Sequence, residues 1–564
     1  MGALLAAGLR VREWWPARRF DRAAAEPEGA QAAVLRALLR RNARTAFGRE
    51  HGFDAIRTVA EYRRAVPLRD YEALRPYVRR IVEGEAAVLT AEPVTAFAST
   101  SGTTAEPKLV PVTAAWLARM AALLRLWMLG AQRDHPRLLR RAPLTIVSPA
   151  IEGCTPRGVP VGALSGLLHR SLPAAVRRAQ AVPYAAHLIA DADARAFVLL
   201  RLGLPRAVSV IGTPNATTLV RLAQVARRQA DSLLRAIHDG TLGIPWPAFH
   251  EEPGLDGQAA RRALAARLEA DPARARALDA AARARGALRL QDAWPELALI
   301  GCWLGGTAGH HTRRLGEDYG GVPLRDLGLV ASEGRVTLPL ADGTAAGPPA
   351  LDAGFFEFIP EEAMETRDPP VLLAHELEVG RRYGVVLSGA NGLYRYDLND
   401  VVEVQGRHHR APLLAFVRKG RDMTSITGEK LHVNHVRDAV RQAEDAARVE
   451  VWQYRLIPDV DACRYDLLVE PGEAGLDAIG AEAFARAFDE GLGRVNAEYG
   501  AKRRTRRLGA PRLAVMRPGW AERQCRAEFA QGRRDVQHKW RALVVDWDPA
   551  SRAAVLRTWE EKAP

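Results

Sequence analysis

Lysine and cysteine are the scarce residues of this chain. Only six lysines, at 108, 419, 430, 502, 539 and 562, stand among 80 basic residues, so arginine is the default cation. A lysine kept against that background marks a place where a compact, mobile ammonium does what a planar guanidinium does not. Lys502 sits in the run "KRRTRR", a solvated face, and Lys562 in the tail, whereas Lys108, Lys430 and Lys539 have distinctive neighbours. The four cysteines, at 154, 302, 463 and 525, have no metal-ligand or redox spacing, which points to a reduced, cytoplasmic setting. No run of eighteen apolar residues occurs, and on that criterion no transmembrane segment is expected. The start, "MGALLAAGLRVREWW", lacks a charged region before its apolar run and a cleavage site. It reads as a docking helix, with contact at a membrane surface as the alternative. Zinc fingers, helix-turn-helix units and RNA-binding aromatic motifs are missing, so the net charge of +14 reflects arginine-rich composition rather than a specific nucleic-acid partner. The G-x-S-x-G nucleophile elbow is absent. "GHH" at 309–311 is not a metalloprotease motif, and "GRHHR" at 406–410 reads as a hairpin end, with metal or anion binding as the alternative.

What is present suffices for more than one domain: 564 residues, 48% apolar. Residues 14–90 read as helices with turns. From 142 onward "PLTIVSPAIEG", "AFVLLRLG", "AVSVIGTPN" and "ELALIGCWLGG" read as buried strands separated by helical text, an α/β alternation. "GFFEFIPEE" and "RRYGVVLSGANGLYRYDLNDVVEVQGR" read as antiparallel strands, with Asn391-Gly392 as a turn. After about 412 a smaller α+β unit follows. The expected division is a large N-terminal domain over 1–412 and a smaller one over 413–564.

Five stretches carry candidate chemistry. "FASTSGTTAEPKLVP" at 97–111 is a hydroxyl-rich loop between a strand and the helix "TAAWLARMAALLRLWML". Gly102 permits tight backbone geometry, Thr100, Ser101, Thr103 and Thr104 can surround oxyanions, and Lys108 adds a charge. It is not a Walker A loop, because the second Gly and the Ser or Thr after Lys are missing. A polar surface loop is the plain alternative. In "GLVASEGR" at 328–335, Glu333 at a strand end is a hard oxygen ligand suited to Mg2+, or a solvated carboxylate. In "LYRYDLNDVVEV" at 393–404, alternation puts Tyr394, Tyr396 and Leu398 on one face and Arg395 and Asp397 on the other. Asp400 there can accept two ribose hydroxyls, or the stretch is a cross-strand ion pair with a capping Asp. "RKGRDMTSITGEKLHVNHV" offers Arg418, Arg421 and Lys430, and "DVQHKWRAL" offers Lys539.

In order and wording these five pieces resemble the adenylate-forming acyl-acid amido synthetases of the Gretchen Hagen, or auxin-responsive promoter, family, within the acyl-CoA synthetase and luciferase superfamily. "RTAFGREHGF" and "VPLRDYEALRPYVRRIVEGE" are similar to that family's N-terminal region. The usual Gly before the ribose-binding Asp is here Asn399. The resemblance implies an adenylation domain with layered sheets and helices, followed by a mobile C-terminal domain. It implies ATP and Mg2+ as cofactors, with a carboxylic acid and an amine, an amino acid in particular, as small-molecule substrates, acting as a monomer or weak homo-oligomer. By the same resemblance Ser101, Gly102, Thr103 and Thr104 cradle phosphates, and Ser332 lies near the phosphoryl and acyl groups. Glu333 takes Mg2+, Asp400 the ribose, and Arg418 or Arg421 the ribose or phosphate. Lys539 approaches the acyl phosphate, and Lys430 orients the inter-domain helix. The acyl pocket is expected to draw on 115–215 and 300–335. A thiol acceptor such as CoA, or a nucleotide-binding regulatory protein without catalysis, are the competing readings.

Overall fold

The computed structural model describes residues 15–560 except 101–107, 306–311, 365, 367, 421, 422, 425, 427, 428, 430, 460, 474, 505–507, 531–539 and 545. The chain divides into two compact units, Met1–Phe416 and Val417–Pro564.

The first unit opens with a helical segment over 15–25, followed by helices Pro27–Asn42, Ala46–Glu50, Val59–Ala65 and Tyr71–Val82. Side chains with short polar reach start them. The Thr45 hydroxyl accepts from the Gly48 amide, Thr58 and Glu61 form a reciprocal capping box, and Asp70 accepts from Ala73. Strands Val94–Thr100 and Lys108–Thr113 then pair antiparallel, with Thr100 opposite Lys108. The hydroxyl-rich segment therefore joins two paired strands rather than a strand and a helix, and Lys108 opens the second strand. Thr113 caps the following helix, Ala114–Asp134. By length and composition that helix is apolar enough to cross a membrane. Arg119, Arg125 and Arg133 interrupt its apolar run, and Trp116, Met120, Leu123, Leu126, Trp127 and Ala131 are buried in the core.

Behind this lies a parallel sheet in the order Ala142–Thr145, Val208–Gly212, Leu299–Cys302, Leu324–Asp326. Three of the four expected buried strands fall here or lead into it. The fourth does not: "AFVLLRLG" lies in the helix Ala192–Gly203, started by Asp191 accepting from Ala194. Every residue from Arg195 to Gly203 is buried, Arg195 and Arg201 included, so the helix has no solvent-facing side to give it an amphipathic period.

A second, antiparallel sheet runs Phe355–Pro360, Arg382–Ser388, Tyr396–His408, Ala411–Lys419. Gly392, at φ +88°, stands in the turn before the third strand, where Leu89 and Thr90 leave no room for a Cβ. In the second unit, strands Val451–Asp459, Arg464–Pro471, Arg512–Met516 and Val555–Trp559 form one sheet, with helices Val433–Ala447 and Ala478–Val495 beside it. Tyr454, Leu467, Phe484 and Phe488 belong to the core of that unit.

Candidate functional site

Ser332 and Glu333 are the two residues between the short paired strands Val330–Ala331 and Gly334–Arg335. Glu333 thus stands at a hairpin tip rather than a plain strand end. It is 9% exposed, and one carboxylate oxygen accepts from the Tyr396 hydroxyl at 3.2 Å. The Glu333 backbone carbonyl accepts from the Asn391 amide at 3.1 Å, so two segments distant in sequence hold the tip. Burial, reinforced by the Glu333 charge, pushes the Tyr396 hydroxyl far above its ordinary range, and it stays a donor. A carboxylate with one oxygen tethered keeps its second for a hard cation, and this donor fits Mg2+.

Lys108 reaches this neighbourhood through Tyr71. Its ammonium lies 5.6 Å from the centroid of the Tyr71 ring, and the Tyr71 hydroxyl accepts from the Leu109 amide at 2.7 Å. Burial raises the Tyr71 hydroxyl, and the Glu333 charge is among the smaller influences in the same direction. Lys108, Tyr71, Glu333 and Tyr396 therefore form one electrostatic group at the foot of the hydroxyl-rich segment. Ser101, Gly102, Thr103 and Thr104 lie outside the described residues, as do Arg421, Lys430 and Lys539.

Asp400 is 2% exposed on the strand Tyr396–His408. The residue before it explains a departure from the family pattern. Asn399 has φ +54°, a left-handed backbone that Gly adopts freely and that Asn tolerates better than other residues with a Cβ. Its amide donates to Asp397 at 2.7 Å. Arg395 is left-handed too, at φ +46°, and this breaks the expected alternation. Tyr394, Arg395 and Tyr396 are all buried. Arg395 turns toward Glu357, donating at 2.9 Å, while Arg63 donates to the other oxygen of Glu357 at 2.8 Å. Arg395 is thus a buried cation paired with Glu357. In the second unit, Arg418 is 5% exposed and donates to the Gly420 carbonyl at 3.0 Å.

Asp326, which the sequence reading missed, closes the parallel strand Leu324–Asp326. Its carboxylate accepts from the Leu304 amide at 2.6 Å and the Gly328 amide at 2.5 Å, and burial pushes its pKa up to about 6. It ties together the loops at the carboxyl ends of two adjacent parallel strands, where open parallel sheets take ligands. Trp303, in the first of these loops, packs on Phe416 with ring centroids 5.3 Å apart. Nearby Cys302 is fully buried with its thiol pushed up to about 12 by burial, so it offers no thiolate nucleophile.

A cavity of about 530 Å³ reaches Glu333 and Gly334. Ala33, Val34, Trp116, Met120, Phe356 and Leu387 give it apolar walls. At its polar part, Arg19 and Arg119 share the Asp352 carboxylate at 3.2 and 3.4 Å, two positive charges against one negative. Of residues 115–215 and 300–335, this cavity is lined by members of 115–123 and 333–335, and the N-terminal helices and 352–390 supply the rest of its wall.

Comparison with known proteins adds a consistent pattern. The chain matches the GH3 family N-terminal domain over 16–324, the GH3 family central domain over 348–419 and the GH3 family C-terminal domain over 434–546. It is 27% identical over 549 residues to an indole-3-acetic acid-amido synthetase, GH3.8, of Oryza sativa subsp. indica, covering 93% of this chain and 89% of that one. To the probable indole-3-acetic acid-amido synthetase GH3.12 of Oryza sativa subsp. japonica it is 28% identical over 600 residues, covering 96% and 94%. In fold it is similar to the GH3.15 acyl acid amido synthetase, at a TM-score of 0.83 and 22% identity over 96% of each chain. It is also similar to a 2-hydroxyisobutyryl-CoA ligase in the postadenylation state, at 0.54 and 14% identity over 95% and 93%.

Proposed function

The chain belongs to the GH3 family, and on that premise we infer that it is an AMP-forming acyl-acid amido synthetase. It activates a carboxylic acid as an acyl-adenylate and passes the acyl group to an amine. The observation that carries this reading is Glu333, its carboxylate held by the Tyr396 hydroxyl and its backbone carbonyl by the Asn391 side-chain amide, beside the strand that Lys108 opens.

Each residue type suits the charge it meets. During adenylation the acid's carboxylate attacks the α-phosphate of ATP and pyrophosphate leaves, so negative charge builds on phosphoryl oxygens. Lys108, with the hydroxyls and Gly102 of residues 101–104, offsets that charge. Glu333 holds Mg2+, which supplies charge neutralisation on the phosphates, and Asp400 accepts the ribose hydroxyls. Ser332 lies beside the acyl and phosphoryl groups, and Arg418 or Arg421 contacts the nucleotide. Lys539 approaches the acyl phosphate in the adenylating arrangement only. Aminolysis then needs no protein nucleophile, in keeping with the buried Cys302 thiol.

The apolar cavity beside Glu333 takes the body of the acid. Its paired arginines over one aspartate favour an anionic substrate. The acceptor is an amine, an amino acid in particular.

Carboxylate-dependent ATP–pyrophosphate exchange across a panel of acids tests the first half-reaction, and AMP release on adding amino acids tests the second. Exchange followed by an amide product is expected. Exchange with product only when CoA is added would assign the thiol acceptor instead. No exchange with any acid, alongside normal ATP binding, would assign the regulatory reading. In the Lys539→Ala variant, exchange should fall steeply while aminolysis of supplied acyl-adenylate stays closer to normal. Normal exchange would return Lys539 to the surface lysines.

A further inference from the structure

The hairpin tip between strands Tyr396–His408 and Ala411–Lys419 carries two adjacent histidines beside an aspartate of the N-terminal helix. In a regular strand, His408 and His409 would project to opposite faces. Instead His409 has φ +54°, a left-handed backbone unfavourable for a residue with a Cβ. The result is that the two imidazole rings lie 4.5 Å apart. The Nε2 atom of His408 lies 3.5 Å from an oxygen of Asp21, within the helical segment 15–25. One ligand atom from each of Asp21, His408 and His409 lies within 4.8 Å of the others.

We propose that Asp21, His408 and His409 bind a divalent transition-metal ion of the Zn2+ class. Two imidazole nitrogens and one carboxylate oxygen suit borderline cations and leave a position open to water. Ligand atoms across a tetrahedral zinc stand about 3.3 Å apart, from bonds of about 2.0–2.1 Å. Rotation of the exposed Asp21 and His409 side chains supplies the closure from 4.8 Å. The hard cations Mg2+ and Ca2+ are poorly served by two imidazoles. The flanking charges leave the site accessible to a cation: Arg410 turns to Glu28 at 3.5 Å, and His375 occupies Glu28 at 3.0 Å.

The site has a mechanical consequence. The hairpin tip and the helix already share one backbone hydrogen bond, from the Arg410 amide to the Ala24 carbonyl at 3.0 Å. The same helix supplies Arg19, Arg22 and Ala23 to the cavity wall. A metal ion bridging Asp21 to the two histidines clips that wall to the central sheet and stabilises the folded chain by ordinary linkage.

The test is calorimetric titration of the full-length, tag-free, chelator-stripped protein with Zn2+, repeated on His408→Ala/His409→Ala and on Asp21→Asn. One Zn2+ per chain is expected, weakened at least tenfold in the double histidine variant and less in Asp21→Asn, with no competition from millimolar Mg2+. Paramagnetic resonance of added Cu2+ should show coupling to two nitrogens, lost in the double variant. Circular dichroism and metal-free ATP binding of the variants, unchanged, would show that the fold persists. Equal Zn2+ affinity and stoichiometry in wild type and double variant would overturn the proposal. So would loss of binding on replacing the exposed Cys154 and Cys463 by Ser instead.

Discussion

The Tyr396 hydroxyl donates to the Glu333 carboxylate at 3.2 Å across 63 residues of sequence. This single bond joins the acidic motif to the Tyr-Arg-Tyr motif. It decides which of the two tyrosines matters to the site: Tyr394 points the other way, donating to the Leu89 carbonyl at 2.8 Å.

Tyr396→Phe removes that donor while keeping the ring. A hydrogen bond to a charged acceptor contributes about 1.5–3 kcal/mol. The variant should remain folded, need more Mg2+ for half-maximal exchange, and lose at least about tenfold in kcat/KM. An unchanged Mg2+ dependence, read from initial rates across a Mg2+ series, would remove Tyr396 from the site.

Asp400→Ala should weaken ATP binding by roughly 10- to 200-fold, the loss of a charge-assisted hydrogen bond. Titration calorimetry with ATP reads this directly. Unchanged affinity would refute the ribose role.

Asn399 separates backbone from side-chain demands. Asn399→Gly should leave stability within about 0.5 kcal/mol and activity intact, because Gly adopts the left-handed backbone at φ +54° without strain. Asn399→Val should cost about 1–2 kcal/mol or more and shift Asp400. Urea unfolding of both variants decides. Equal stability of the Val and Gly variants would mean that the backbone strain does not set the choice of residue here.

Glu357 is fully buried and accepts from both Arg63 and Arg395. Glu357→Gln should destabilise by about 3–5 kcal/mol, since it leaves buried guanidinium charge unpaired. Glu357→Met combined with Arg395→Met should cost clearly less than the sum of the single changes in denaturant melts. Additive losses would show that the two side chains are not coupled.

Burial holds the pKa of His187 down at about 3 and of His169 at about 4, against 6.5 for an unburied imidazole. Both are therefore neutral in the folded chain while the unfolded chain takes up protons below 6.5. Their stabilisation is complete above that pH and is lost as pH falls toward 4 and 3. At pH 5 the loss is about 2 kcal/mol per histidine. Replacing both by Met should flatten the stability difference between pH 7.5 and pH 5.0 by about 4 kcal/mol in urea melts. An unchanged difference would mean that these imidazoles reach solvent.

Local pattern made several elements legible. Apolar residues on one face mark the helix Ala114–Asp134, and alternation with a following turn marks the strands Arg382–Ser388 and Tyr396–His408. The order of the short motifs carried the family, because phosphate, metal and ribose each demand particular residue types in a few consecutive positions. Local pattern failed for "AFVLLRLG", since a helix buried on every side has no apolar stripe to betray its period. It also failed for Arg395, where a left-handed residue resets the alternation that follows.

By itself, then, the sequence determined the family and the class of chemistry, and it named candidate groups for that chemistry: the carboxylates Glu333 and Asp400, the hydroxyls of 101–104 and a few retained lysines. Tertiary structure alone decided that Tyr396 rather than Tyr394 meets Glu333. It also decided that Asp326 ties two loops at the parallel sheet, and that a cavity forms between helix Pro27–Asn42, helix Ala114–Asp134 and the sheet around Phe356 and Leu387. The reason lies in range. Residue type and period act over a few neighbouring positions, whereas each of these contacts depends on which distant segments share a core, and no local spacing records that.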